Sequence, residues 1–593
     1  MTQSSTTRSK TIVVGPGIVG MPMAALLADA TRRLDSVPGE VVVIQRYSAT
    51  SAWKIGAINR GESPIGGIEP DLAKLVATNA AAGTLRASHA YSEAQGADVI
   101  LICVQTDKRG SAPDYGPLYE ALHGIAAALA KSPVRKRPLI IIESTLAPSS
   151  MQSVLRPLFA AYGLREGREI LLGNSPNRVM PGRLVMRLTN AIKIVGALHP
   201  DTARRIAQLY SRIVTHGRLL ETNSLTAEVV KTLENAYRDV RIAFAAELVR
   251  WCDTNDIDFY ALRESVNDRL EATDQASYDG TAVPSGALLV PTVGVGGHCL
   301  PKDGVLLWWR ALERGMLSEA SVILGARIVN DESPAETLKL GSSVGVRLAG
   351  KRIAVLGAAY RPDSSDTRNA PSLELALLLR GAGASIVVHD PYVRPQDANL
   401  TRLNLTSAFS NSLEAVLSDA EAIFVGTGHG VYRDLPRELA QKAPNARVLV
   451  DAANLFRAAE FDAMTLRYAG IGRGRQMPDL ELIESVLAQF RAVEQAAANE
   501  VGEVCELLNE YYAENADDAI EFEVVQLLAR TCATGCNIVD RGPIATLGPE
   551  SGFVSRLATR AMARWEMRNF PGTLSMRERR RPGAERPFVK TRE

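Results

Sequence analysis

The chain is poor in cysteine, in net charge and in long apolar runs. Six cysteines in 593 residues exclude a disulfide scaffold. Lys plus Arg number 67 and Asp plus Glu 66, a net charge of +1, which excludes a globally basic nucleic-acid binder. No run reaches the roughly 18 apolar residues of a membrane-spanning helix. The N-terminus, MTQSSTTRSK, has no apolar core of a signal peptide, so a cytoplasmic protein is expected. What is present is the balance of a globular chain, 46% apolar and 22% charged. At roughly 150 residues per domain the length suggests about four domains.

Strand-like runs recur with glycines behind them. Thr11-Ile-Val-Val leads into Gly15-x-Gly17-x-x-Gly20 and an Ala/Leu-rich helical stretch. Val41–Ile44, Val99–Val104 and Leu139–Ile142 follow, with helical stretches between. The pattern restarts at Lys351–Gly357, with partners at Ile386–Asp390, Ala422–Val425 and Val448–Asp451. Strands alternating with helices mean parallel sheets with crossover connections. From Asn223 to Asp253 there is no Gly or Pro, which predicts a helix of about 45 Å capped by Asn223 or Ser224. The fold class is therefore α/β: two Rossmann-like doubly wound domains joined by a long central helix, plus a mainly helical extension. The expected divisions are 1–215, 216–335, 336–476 and 477–593. In the extension, Leu480–Tyr512 reads as helix, ten acidic residues and no Lys or Arg fall within 492–529, and the basic end from Met576 is expected to be disordered. A helical appendage with a solvated tail is the expected form. Cys532-x-x-x-Cys536 lacks zinc-site spacing, so no metal is expected there.

Gly15 permits a tight turn, Gly17 lets backbone approach a pyrophosphate, and Gly20 lets helix pack on strand. The helix N-terminus then faces phosphate with its positive end. The plainer alternative is an ordinary strand–helix turn. The second strand ends in Gln45 and Arg46, where an acid normally takes the ribose hydroxyls. NAD is the expected cofactor, and Arg46 keeps NADP as the alternative through a 2′-phosphate.

Cys299 follows a glycine-rich stretch, Gly294, Gly296 and Gly297, with Lys302 and Asp303 just beyond. A lone cysteine is usually a small buried hydrophobe. Here Lys231 and Asn235 stand four apart, on one helix face, and each can donate to a developing oxyanion.

Taken together, these residues resemble the UDP-glucose/GDP-mannose dehydrogenase family over about residues 10–475. Ile58-Asn-Arg-Gly61, Glu69-Pro70, Pro113-Asp114, Glu143-Ser-Thr145, Asp366-Thr-Arg368 and Asp451-x-x-Asn454 add to the resemblance. Glu69-Pro-Asp-Leu72, Thr84-Leu-Arg-Ala-Ser88, Arg178-Val-Met-Pro-Gly182 and Asn235-Ala-Tyr-Arg-Asp-Val240 resemble its branch acting on UDP-N-acetylhexosamines such as UDP-N-acetylmannosamine. The resemblance implies oxidation of a sugar C6 alcohol to the carboxylate with two NAD, through a thiohemiacetal and a thioester on Cys299. It assigns catalysis to Cys299, Lys231, Asn235, Asp303, Thr145 and Asn177. It assigns the cofactor to Gly15, Gly17, Ile18, Val19, Gly20, Gln45, Arg46, Thr106, Thr145, Lys302 and Arg368. It assigns the UDP-sugar to Arg178, Lys231, Asn235, Arg238, Gly296, Gly297, Arg361 and Arg368. With the long helix, the resemblance also implies a homodimer or higher homo-oligomer.

Three positions depart from the family pattern. Asn177 follows Pro176 where the family has Glu, and an amide orients water without taking its proton. Arg361 replaces a lysine, keeping charge and changing geometry. Gln45 replaces the ribose-binding acid. The departures leave open a protein that binds both ligands without turnover. A single-step hydroxyacid dehydrogenase would share Lys231-x-x-x-Asn235 and would need no thiol.

Overall fold

A computed structural model of the chain describes residues 8–133, 136–179, 181–270, 288–316, 318–345, 348–531, 536–544, 547–549 and 551–569. The first sheet is built from β1 (Lys10–Val14), β2 (Glu40–Ile44), β3 (Leu85–Ser88) and β4 (Val99–Ile102). A small hairpin, β5 (Asp107–Arg109) with β6 (Ala112–Asp114), interrupts it. It resumes with β7 (Leu139–Ile142), β8 (Leu171–Asn174), β9 (Ile192–Ala197) and β10 (Arg218–Asn223). The spatial order is β10-β9-β8-β7-β4-β1-β2-β3, parallel except at β8–β9. The second sheet holds β11 (Arg352–Leu356), β12 (Ser385–His389), β13 (Phe409–Ser410), β14 (Ala422–Val425), β15 (Val448–Asp451) and β16 (Arg467–Gly470). Its order, β13-β12-β11-β14-β15-β16, is that of a doubly wound dinucleotide fold, with the switch point between β11 and β14. Strands such as Val41–Ile44 are apolar at every position because helices cover both faces of a parallel sheet.

Between the sheets runs the long helix, Ser224–Asn255. Of the two candidate caps, Asn223 is the one whose side chain accepts from Thr226 N, at 2.7 Å. The helix stops at Asp256, whose φ of 57° is left-handed. It is buried along most of its length, against the helices Leu300–Glu313 and Val322–Ser343 and against the extension.

The extension is not a free appendage. Its helix Leu480–Tyr512 buries Phe490 on Phe244 of the long helix, with ring centroids 5.4 Å apart. Glu500, fully buried, accepts from Ser321 Oγ and Val322 N, capping the helix Val322–Ser343. Glu494 accepts from the Tyr237 hydroxyl. Farther on, Arg556 pairs with Glu247 at 2.8 Å and with Glu332 at 2.6 Å. The acidic helix also takes basic partners from the extension itself, Arg541 on Glu506 at 2.6 Å and Arg564 on Glu503. A helix this long suits the spine of a linking domain or a dimer interface, and the chain's own extension packs along part of it. The basic end from Met576, and Cys532, lie outside the described residues. Among the described residues no helix is long and apolar enough to cross a membrane.

Candidate active site

The carboxyl edges of the two sheets, the long helix and the Cys299 loop enclose one cleft with a cavity volume of about 500 Å³. Gly15, Gly17, Ile18, Val19, Gln45, Arg46, Thr106, Thr145, Asn177 and Arg178 reach it from the first sheet's loops. Lys231, Asn235 and Arg238 reach it from the long helix. Gly296, Gly297, Cys299 and Lys302 come from the thiol loop, and Arg361 and Arg368 from the loop after β11. Of the residues assigned from sequence to catalysis, cofactor or UDP-sugar, all but Gly20 and Asp303 line this cleft.

The nucleotide loop has the local geometry that its glycines require. Gly15 has a φ of 94°, and a Cβ on Gly20 would lie 2.1 Å from the Gly15 carbonyl oxygen. A Cβ on Gly17 would meet nothing within 4 Å, so the backbone there is open to the cleft. The helix Gly20–Leu34 starts immediately after, with no side chain capping it. The positive end of the helix dipole there favours an anion. Lys54, on the short helix Trp53–Asn59, lines the same wall. Burial holds its ammonium below the usual lysine range, and Arg368 pushes it further the same way. Lys54 and Arg368, the latter held by Asp366 at 2.5 Å, both line the cleft and suit a phosphate ligand. At the outer end, Gln45 Nε2 donates to Ser51 Oγ at 3.1 Å, and Arg46 pairs with Glu120 at 2.8 Å. Glu120 answers the charge that a 2′-phosphate would use.

Cys299 is the residue before the helix Leu300–Glu313 and so stands at the positive end of that helix. Asp303, fully buried, accepts from Lys302 Nζ at 2.7 Å and from Asn235 Nδ2 at 2.5 Å. The thiol loop and the long helix are thus joined through one carboxylate. Gly296 and Gly297 are glycines because Tyr360 packs on them: a Cβ on Gly296 would lie 2.4 Å from the Tyr360 Cβ. Gly297 N donates to Arg368 O at 2.9 Å, which fastens the thiol loop to the second Rossmann unit. His298 lines the cleft beside the thiol. Burial, with Lys302 and Arg368 nearby, brings its imidazole down to about 4, so it is neutral at pH 7.

A dense cationic wall faces the second Rossmann unit. Arg178 Nε donates to Glu234 at 2.6 and 2.8 Å. Burial, reinforced by Arg241, Arg361 and Arg187, brings Arg238 down to about 10. Burial also lowers Arg361, with Arg183 adding repulsion. A guanidinium group depressed by burial and by like charge regains stability when an anion enters.

Asn177 sits in a network that sequence spacing does not disclose. Its Nδ2 donates to Glu143, and its Oδ1 accepts from Lys193 Nζ at 2.9 Å. Lys193 also pairs with Glu143 at 2.9 Å, and the Tyr210 hydroxyl donates to the same carboxylate. Glu143 follows β7 and Asn177 follows β8; the register Ile142↔Asn174 brings them together. Lys193 and Tyr210 are 50 and 67 residues from Glu143 in sequence. Lys54, Glu120, Glu234 and Tyr360 were likewise invisible, because each acquires its place only through packing of separate elements.

Three models of the UDP-glucose/GDP-mannose dehydrogenase family match the chain: the NAD binding domain over residues 9–214, the central domain over 225–332 and the UDP binding domain over 354–458. UDP-N-acetyl-D-mannosamine dehydrogenase of Pyrococcus horikoshii is 30% identical over 466 residues, covering 78% of this chain and 99% of that protein. The Escherichia coli K12 protein of the same name is 30% identical over 439 residues, covering 71% and 94%. A crystal structure of NDP-N-acetyl-D-galactosaminuronic acid dehydrogenase from Methanosarcina mazei superposes with a TM-score of 0.62 at 32% identity, covering 79% and 96%. The chain therefore belongs to the UDP-glucose/GDP-mannose dehydrogenase family, whose members are NAD-dependent oxidoreductases.

Proposed function

We propose that the protein is a UDP-sugar 6-dehydrogenase that oxidises the C6 alcohol of a UDP-N-acetylhexosamine to the carboxylate in two steps. The observation that carries this reading is the presence of Cys299, Lys231 and Asn235 on one cleft wall with the nucleotide loop. The cofactor site fits a dinucleotide: glycine backbone open at Gly17, an uncapped helix start, and the cations Lys54 and Arg368 above it. NAD, when bound, accepts the hydrides. The N-acetyl preference rests on the relatives, which are named for UDP-N-acetyl-D-mannosamine and NDP-N-acetyl-D-galactosaminuronic acid.

Lys231 and Asn235 donate to the sugar C6 oxygen as it becomes an alkoxide and hold it through the later tetrahedral states. The aldehyde has no second hydride to give until a nucleophile adds. Cys299 Sγ adds to C6, giving a thiohemiacetal whose C6–H is the second hydride. The resulting thioester is opened by water, releasing the carboxylate and the free thiol. Asp303 acts from behind, orienting Asn235 and Lys302, and Thr145 orients water. Arg178, Arg238 and Arg361, with Gly296 and Gly297, form the wall for the UDP-sugar. The pairing of Arg46 with Glu120 favours NAD over NADP.

The test is NADH formation by purified protein with NAD and a panel of UDP-hexoses and UDP-N-acetylhexosamines, counted per sugar consumed. Two NADH per sugar is the expected result. One NADH per sugar would place the block at the aldehyde or the thioester. No NADH with any sugar would favour the binding-only reading that Asn177 motivates.

A further inference from the structure

Thioester hydrolysis needs a group that takes a proton from water, and Asn177 has none to offer. Its amide is also fixed in orientation, because Nδ2 meets a carboxylate and Oδ1 meets an ammonium. The acids on the cleft wall are Glu120, Glu143 and Glu234. Glu120 is half-exposed at the outer end with Arg46. Glu234 is on the long helix, paired with Arg178. Asp303 is off the wall. Glu143 is the acid hydrogen-bonded to Asn177, the position where the family pattern has Glu. It is 2% exposed, two residues before Thr145 and at the cleft wall, with Asn177 and Lys193 on one oxygen and the Tyr210 hydroxyl on the other. Lys193, itself 2% exposed, pairs with the carboxylate at 2.9 Å.

We propose that Glu143 is the general base for opening the Cys299 thioester, with Asn177 and Lys193 holding the base in place and Thr145 orienting the water. In this step a water proton passes to Glu143 and the water oxygen bonds to C6. The C6–Sγ bond then breaks, and Cys299 leaves as thiolate; nothing is oxidised or reduced. The carboxylate that position 177 lacks is thereby supplied from the neighbouring strand. This inference rests on the two-step reading above.

The test uses full-length protein, NAD and the UDP-sugar that the wild type oxidises. Glu143→Gln should keep the first burst of two NADH per active site and lose steady-state turnover by about 10²-fold or more. Intact-protein mass should then show an acyl adduct that is absent from Cys299→Ser. Added hydroxylamine, which attacks a thioester without a base, should restore turnover and yield the hydroxamate. If Glu143→Gln does not fold because Lys193 is left unpaired, Glu143→Gln/Lys193→Gln removes both charges and is read the same way. Steady-state turnover within about threefold of wild type overturns the proposal. So does loss of the burst together with turnover, failure of hydroxylamine to rescue, or a stalled adduct in Glu234→Gln instead. Wild-type protein that forms no NADH removes the two-step reading itself, and this inference with it.

Discussion

Asn235 on the long helix donates to Asp303 on the thiol helix at 2.5 Å, and the same carboxylate holds Lys302 at 2.7 Å. One buried acid therefore sets the distance between the oxyanion donors and the nucleophile. Lys302 and Asp303 are 2% and 0% exposed, so removal of the acid strands a buried ammonium. Asp303→Ala should cost about 3–5 kcal/mol in urea unfolding. Asp303→Asn should fold better and still lower kcat more than it raises KM. Equal effects on both constants would show that Asp303 does not orient the donors.

Cys299 stands at the positive end of its helix and within the cleft. Cys299→Ser should retain NAD and UDP-sugar binding and stop at the aldehyde level, with at most one NADH per sugar. Undiminished uronate formation by this variant, read by mass spectrometry, would exclude the thiol from the second oxidation.

Arg46 and Glu120 are both exposed, so their pairing contributes only about 0–1 kcal/mol to stability. Its effect on cofactor choice should be larger. Glu120→Ala should free Arg46 and lower the Kd for NADP several-fold while changing that for NAD by less than about twofold. Fluorescence titration with NADPH and NADH checks this, and an unchanged NADP affinity would remove Arg46 from cofactor selection.

Glu228 is fully buried and accepts from Ser149 N and Met151 N, tying the long helix to the segment after Thr145. Burial raises its carboxyl to about 8. The folded state therefore binds a proton that the unfolded state releases above its ordinary value of 4.5. Its contribution is complete below 4.5 and is lost as pH rises through about 8. Stability should fall across that interval with a slope approaching ~1.4 kcal/mol per pH unit. Glu228→Gln should flatten this slope in urea midpoints measured between pH 5 and 8. A slope equal to wild type would assign the dependence to another group.

The extension should be indispensable to folding. Ending the chain at Gln476 would uncover the fully buried Phe244 and remove the Glu500 cap from Val322–Ser343. The expected result is insoluble protein. Glu500→Ala in the full chain should cost about 1–3 kcal/mol, since buried N–H groups lose their acceptor. A soluble, fully active truncation would show the extension to be dispensable.

The elements legible from sequence were those whose signals are local. Strand followed by Gly15, Gly17 and Gly20 is a turn requirement carried by adjacent residues, and the structure places that turn at a φ of 94°. The run from Asn223 free of Gly and Pro became a helix of 32 residues, and Leu480–Tyr512 matched its predicted bounds. Short or weakly apolar strands were missed: β3, β5, β6, β8, β9, β10, β13 and β16 have little periodic signal of their own and take their place through pairing. The site divides in the same way. Gly296-Gly-His-Cys299 and Lys231-x-x-x-Asn235 were readable because a loop and one helix turn each hold their parts together. Asn177 was visible as a departure and Glu143 as part of Glu143-Ser-Thr145, but their meeting with each other and with Lys193 and Tyr210 was not, since separate strand and helix ends bring them together.

The amino-acid sequence by itself determined the two doubly wound units, the long helix, the nucleotide loop and the thiol, because each follows from backbone constraints within a few residues. Tertiary structure alone decided which charges meet: Glu143 with Lys193, Arg46 with Glu120, Lys54 opposite Arg368, and Glu500 on the start of Val322–Ser343. Those relationships depend on how distant elements pack, and Coulombic energy depends on separation in space and on burial, not on distance along the chain.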